Sequence, residues 1–411
     1  MPSGDFDLET LLAPTRPDDF FLDHWEKQPL LVRRHDAGYY AGLLTTADVE
    51  EVIAFTRPRF ADPAAFSAEK PREASYVKSQ LADRPMPESA RTPGIAELAG
   101  AYGRGKTVVI MSMQQRWRPI ARLCRGLEAA FHCPVHANMY LTPPGAQGFD
   151  VHFDPHEVFV LQLEGSKTWR LYGAPRPLPL ADDRLDVPRD RLGEPREVRL
   201  EAGDLFYMPR GFVHEAFTSE GHSLHLTIGI NIHRWADVLH EAVDDLARRD
   251  ERFRGSLPPG ALGGDDVPEA LEGRFRDLLA ILARDGRAGE AILSLGDRFF
   301  GQLAPLPGSH LAPRPEPESI GPGTVLEKSP GAICRVVADG GWVTLEFPGG
   351  RVGGPIRIAQ ALRFVAGAGR FAVDDLPDGL GPSGKLVLAR RLLGEGLLRV
   401  VDRAPASGPG K

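Results

Sequence analysis

Apolar and polar positions along the chain fall into distinct textures. From residue 148 to 233, short apolar runs such as EVFVLQL, KTWRLY, DLFYMP and SLHLTIGINIH are broken by Gly and Pro. Short strands with frequent turn signals predict a sandwich or barrel rather than alternating strand–helix units. Upstream, DDFFLDHWEKQPLLVRR predicts a short helix and then a strand, and KTVVIMSM (106–113) and HANMYLTPPGA (136–146) predict strands. Between those two, Ile120, Leu123, Leu127 and Phe131 keep helical spacing within 118–131. At about residue 234 the apolar period changes to three and four, in RWADVLHEAVDDLARRD and PEALEGRFRDLLAILARDG, which predicts a helical segment over 234–302. A Pro-rich stretch, 303–323, predicts a linker. Residues 324–411 then read strand, strand, helix, loop, helix, strand, the order of a small winged-helix-like α+β domain. The sequence shows no internal repeat.

Composition narrows the class. A chain of 411 residues exceeds one ordinary core, so more than one domain is expected. No apolar run reaches the roughly 18 residues that cross a bilayer. The first residues, MPSGDFDLETLL, lack the basic-then-apolar layout of a signal peptide. Cys124, Cys133 and Cys334 are scattered without zinc or CxxC spacing, which points to a reduced, cytoplasmic setting. The net charge of −7 argues against wholesale nucleic-acid binding and leaves room for a basic protein or peptide partner. Residues 320–411 hold 12 Lys and Arg against 8 Asp and Glu, without a basic stripe, so DNA binding by this end is not favoured either.

The candidate chemistry lies in DVHFDPHEVFVLQLEGSKTW (150–169). Residues two apart on a strand share a face, so His152 and Asp154 point the same way. With one distant histidine they would form a 2-His-1-carboxylate set, which leaves open positions on a non-haem iron(II) ion. GDLFYMPRGFVHEAF supplies that histidine, His214, in the layout of a cupin second motif, 62 residues after His152. Thr218 stands where that motif usually has Asn. His156 is a rival ligand on the same formal face, but Pro155 breaks the alternation, and His156 reads as polar rim. Lys167, at the start of a strand, offers a cation for a carboxylate, and Asn138 offers an amide on the preceding strand. Trp169 and Tyr172 read as core, and His222, His225 and His233 as ordinary strand or rim residues.

At these residues the sequence resembles a known family. NMYLTPPGAQGFDVHFDPHEVFVLQLEGSKTWRLYG, with GDLFYMPRGFVHEAF and HLTIGI, is similar to the JmjC-domain ribosomal oxygenases, also grouped as cupin-4 proteins. The resemblance implies a mainly β catalytic domain over 1–233, a double-stranded β-helix or jelly roll with its core over about 100–233. It also implies that the helices over 234–302 make a homodimer. The implied activity is iron(II)- and 2-oxoglutarate-dependent hydroxylation of a protein side chain, with dioxygen as cosubstrate and a ribosomal protein as target. Carried over residue by residue, His152, Asp154 and His214 would bind iron, and Lys167, Asn138 and Thr227 would contact 2-oxoglutarate. Tyr140 would lie near the substrate. Arginine-hydroxylating bacterial members often carry arginine at the lysine position, whereas Lys167 matches histidine-hydroxylating members, so arginine and histidine both stay open as targets. Gly229 stands where some relatives have serine. Other readings remain: an oxygenase of a biosynthetic peptide or small molecule, a non-catalytic metal-binding regulatory dimer, and N-methyl demethylation by the same chemistry.

Overall fold

The computed structural model describes residues 6–60, 76–78, 92–263, 268–306 and 319–401. The chain divides into two compact units, Met1–Ile232 and His233–Lys411. Most of the predicted Pro-rich linker, residues 307–318, lies outside the described residues.

In the first unit, helices α1 (Leu8–Leu12), α2 (Pro17–Asp23), α3 (Thr46–Thr56), α4 (Ile95–Gly103) and α5 (Arg118–Phe131) accompany an antiparallel-dominated sheet. Its strands are β1 (Leu30–Val32), β2 (Tyr76–Lys78), β3 (Thr107–Ile110), β4 (Val135–Thr142), β5 (Glu157–Leu171), β6 (Arg196–Glu201), β7 (Leu205–Met208), β8 (His214–Phe217) and β9 (Ser223–Ile230). The main path runs β1-β7-β5-β9-β4-β3-β2, with β6 and β8 also paired to β5. This is the jelly-roll layout of a cupin-type domain.

β5 carries Lys167 and pairs with the strands that carry His214 and Thr227. EVFVLQL and KTWRLY, read above as separate strands, form one strand from Glu157 to Leu171. Its first part pairs with β7 and β9, and its second with β6 and β8. The register shifts between Gln162 and Glu164, and Gly165 follows with φ +65°. That left-handed residue lets the strand bend and continue where a turn signal predicts a break. A Cβ on Gly165 would fall 1.9 Å from the His222 carbonyl oxygen.

Both faces of β5 are apolar because both are covered. Phe159 and Leu161 join the outer core, where Phe20 of α2 meets Phe159 and Tyr207 at ring distances of 5.6 and 4.8 Å. Val158 and Val160 face the other way and pack with Trp169, Phe206 and Met208. Near-continuous hydrophobic runs are what two-sided burial requires. α5 matches its predicted span, and its stripe of Ile120, Leu123 and Leu127 is buried.

The second unit opens with helices α6 (Trp235–Arg249), α7 (Glu269–Asp285) and α8 (Ala288–Gln302). α6 turns Ala242, Leu246 and the buried Glu241 inward, and Glu241 accepts from Ser294 Oγ (2.7 Å) and from Arg298 of α8. Beyond it, β10 (Val325–Lys328) lies between β14 (Arg370–Ala372) and β15 (Leu398–Val400). β11 (Arg335–Asp339), β12 (Trp342–Phe347) and β13 (Gly350–Pro355) form a meander, with helices α9 (Ala359–Gly367) and α10 (Gly381–Gly394). The sequence order predicts three strands here, and the structure has six. GRVGGP has almost no apolar alternation, the glycine pairs beside β12 mark hairpin turns, and β14 falls in the stretch between the two helices that reads as loop. Among the described residues, no helix is long and apolar enough to cross a membrane.

Candidate active site

The two predicted ligand segments are zipped together by the backbone. His152 N donates to His214 O at 3.0 Å, and His214 N donates to His152 O at 2.7 Å. Gly211 N adds a bond to Asp154 O at 3.0 Å. Antiparallel pairing therefore sets two imidazoles and a carboxylate side by side across 62 residues of sequence. His152, Asp154 and His214 each offer a donor atom, all within 4.8 Å of one another. His156 lies outside this group.

The donor set suits a divalent transition metal. His152 Nδ1 lies 2.7 Å from Asp150 O and His214 Nδ1 lies 2.9 Å from Phe212 O. A carbonyl only accepts, so each Nδ1 carries a proton, and Nε2 is the ring atom left to face a metal. Burial, and then His152, push His214 down to about 4, which keeps it neutral. Burial alone would raise the Asp154 pKa, but His156, His214 and His152 outweigh it and hold the carboxyl ionised. Two imidazoles and one carboxylate with open positions match non-haem iron(II).

These groups line a cavity of about 170 Å³ with Lys167, Asn138, Thr227 and Tyr140, so every predicted site residue faces one space. Lys167 is 3% exposed; its Nζ donates to Thr142 Oγ1 at 3.0 Å, and desolvation lowers its pKa to about 7. Asn138 Oδ1 accepts from Ser112 N at 3.2 Å, and Asn138 pairs across the sheet with Thr227. Thr218 closes the loop before the ligands: its Oγ1 donates to Pro143 O and accepts from Ala146 N. Glu215, buried beside His214, accepts from Tyr172 (2.6 Å), Arg189 (2.6 Å) and Gln147 (3.1 Å).

Some expectations need correcting. His225 is no ordinary strand residue: it is buried in the cavity wall, stacked on Tyr140 at 4.8 Å and edge-on to Trp169 at 5.6 Å. Burial and then Lys167 drive its pKa well down, so it stays neutral. Trp169 packs in the core and also lines the cavity. Tyr172 is half-buried with its hydroxyl on Glu215, not core. His136 also lines the cavity and was not singled out. The signal for both histidines is strand period: His136, Asn138 and Tyr140 share one face of β4, and His225, Thr227 and Gly229 the facing positions of β9.

The fold and the site define a JmjC-type domain, and residues 110–238 match the JmjC domain family. Beyond that domain, the chain is similar to the ribosomal oxygenases. Ribosomal oxygenase 1 of Gallus gallus is 38% identical over 263 residues, covering 62% of this chain and 42% of that protein. Ribosomal oxygenase 2 of Mus musculus is 30% identical over 305 residues, covering 71% and 62%. The chain thus spans about two fifths of the length of the first relative. Among solved structures, YcfD, a ribosomal oxygenase from Escherichia coli, shares the fold at 16% identity with a TM-score of 0.50, over 97% of this chain and 100% of that one.

Proposed function

We propose that the protein is an iron(II)- and 2-oxoglutarate-dependent oxygenase that hydroxylates a side chain of a protein, with ribosomal proteins as the target class. One observation carries this reading: a single cavity joins the His152, Asp154 and His214 cluster to a buried lysine. In this reading His152, Asp154 and His214 hold the iron. Lys167 pairs with the distal carboxylate of 2-oxoglutarate, Asn138 and Thr227 make supporting polar contacts, and Tyr140 borders the target. Bound iron(II) supplies dioxygen activation coupled to decarboxylation of 2-oxoglutarate. The chain itself orients the cosubstrate and, through Val158, Trp169 and Met208 in the cavity wall, limits water around it.

The names of the relatives support a ribosomal target. The exposed apolar side chains of α6 to α8 support a homodimer, and Cys124, Cys133 and Cys334, none of them in a disulfide, are compatible with a cytoplasmic setting.

The test is aerobic incubation of the full chain with iron(II), 2-oxoglutarate and purified ribosomal proteins. Succinate should form, and one ribosomal protein should gain the mass of one oxygen atom. His152→Ala and His214→Ala should each lower succinate formation by more than about a hundredfold. A wild-type protein that forms no succinate would reject the reading.

A further inference from the structure

We infer that His136 is the residue that reads the target side chain, and that it selects one presenting an uncharged hydrogen-bond acceptor over a guanidinium. The inference rests on the oxygenase reading above.

His136 stands opposite Gly229 in the β4–β9 pairing. A Cβ on Gly229 would fall 2.3 Å from His136 Cε1 and 2.5 Å from Nε2. The imidazole therefore fills the space that a side chain at 229 would take, and glycine there is the condition for its position. On the cavity side it meets His156 edge-to-face, with ring centroids 4.9 Å apart.

The tautomer follows from Asn231. Its Nδ2 lies 3.2 Å from Pro134 O and 3.1 Å from His136 Nδ1. Pro134 O can only accept, so the amide atom facing it is the NH2 nitrogen, and that nitrogen donates to His136 Nδ1 as well. A neutral imidazole whose Nδ1 accepts carries its proton on Nε2. Burial, and then His156, favour the neutral ring. His136 thus presents an N–H donor in the wall of the cavity that holds Asp154. An uncharged imidazole or a carboxamide oxygen can accept that bond. A guanidinium carries only donors, so it would leave the His136 N–H unsatisfied in a desolvated site.

Capped peptides identical except for a central His, Asn or Arg test this with the full chain, iron(II) and 2-oxoglutarate, read by mass spectrometry. The wild type should favour the His or Asn peptide over the Arg peptide by at least about tenfold in kcat/KM. His136→Phe keeps a ring without the donor and should raise the peptide KM about tenfold, with the 2-oxoglutarate KM held within about twofold. His136→Gln keeps an N–H donor and should retain the preference. Gly229→Ala displaces the native His136 and should reproduce the Phe phenotype. Preferred hydroxylation of arginine, a Phe variant with wild-type peptide KM, or succinate formed with none of the peptides hydroxylated would each overturn the role of His136 while leaving the oxygenase reading intact. No succinate under any condition would remove both.

Discussion

Lys167 shows how one buried charge can make a site respond to pH. Its ammonium has lost most of its water and has a hydroxyl, Thr142 Oγ1, in its place, which brings its pKa to about 7. The group is charged below that value and neutral above it. A bound carboxylate would restore the charged form, so above about pH 7 cosubstrate binding takes up a proton. The KM for 2-oxoglutarate should therefore climb as pH rises from about 7 to about 9, by at most about tenfold per unit. Lys167→Arg keeps its charge throughout and should flatten that profile; a flat wild-type profile would count against the assigned role. At this scale His152, Asp154, His214 and Lys167 were legible because their chemistry is sparse and their spacing distinctive. His136 was not singled out, and His225 read as an ordinary strand or rim residue. Their place in the cavity wall follows from the facing positions of β4 and β9, which spacing within one strand does not reveal.

At the scale of the element, the bend in β5 decides whether the site exists. Val158 and Lys167 line the same cavity from opposite sides of the register shift. A straight strand would not allow the pairings with both β9 and β8 that hold these residues there. Gly165→Ala puts a methyl group into the His222 carbonyl at a left-handed backbone position. It should cost at least about 2 kcal/mol, or roughly 4–8 °C in the Tm of the first unit. Calorimetry on the full chain measures this, and an unchanged Tm would show that the bend tolerates a side chain. The sequence revealed two apolar runs with Gly165 between them, and a glycine there fits a turn as well as a bulge. Only the pairing partners on both sides, remote in sequence, distinguish the two.

At the scale of the whole molecule, the helical segment presents apolar surface that its own unit leaves in solvent. Trp235 is 77% exposed, and Leu239, one turn on, is 56% exposed; Phe275 of α7 and Ile292 of α8 are similar. If these side chains meet a second copy, Trp235→Glu with Leu239→Glu should convert a dimer to a monomer in analytical ultracentrifugation, with the fold retained by circular dichroism. A wild-type monomer would refute that assembly. Helical periodicity alone identified this segment, whereas which face stays uncovered depends on how Glu241, Ala242 and Leu246 pack against α8. The backbone bridge between His152 and His214 also bears on biogenesis. The last ligand emerges from the ribosome well after the first, and the bridge closes only when the later strand is laid down. On the proposed reading, the full donor set for iron would exist only in a nearly finished first unit, so a growing chain would not offer a complete site.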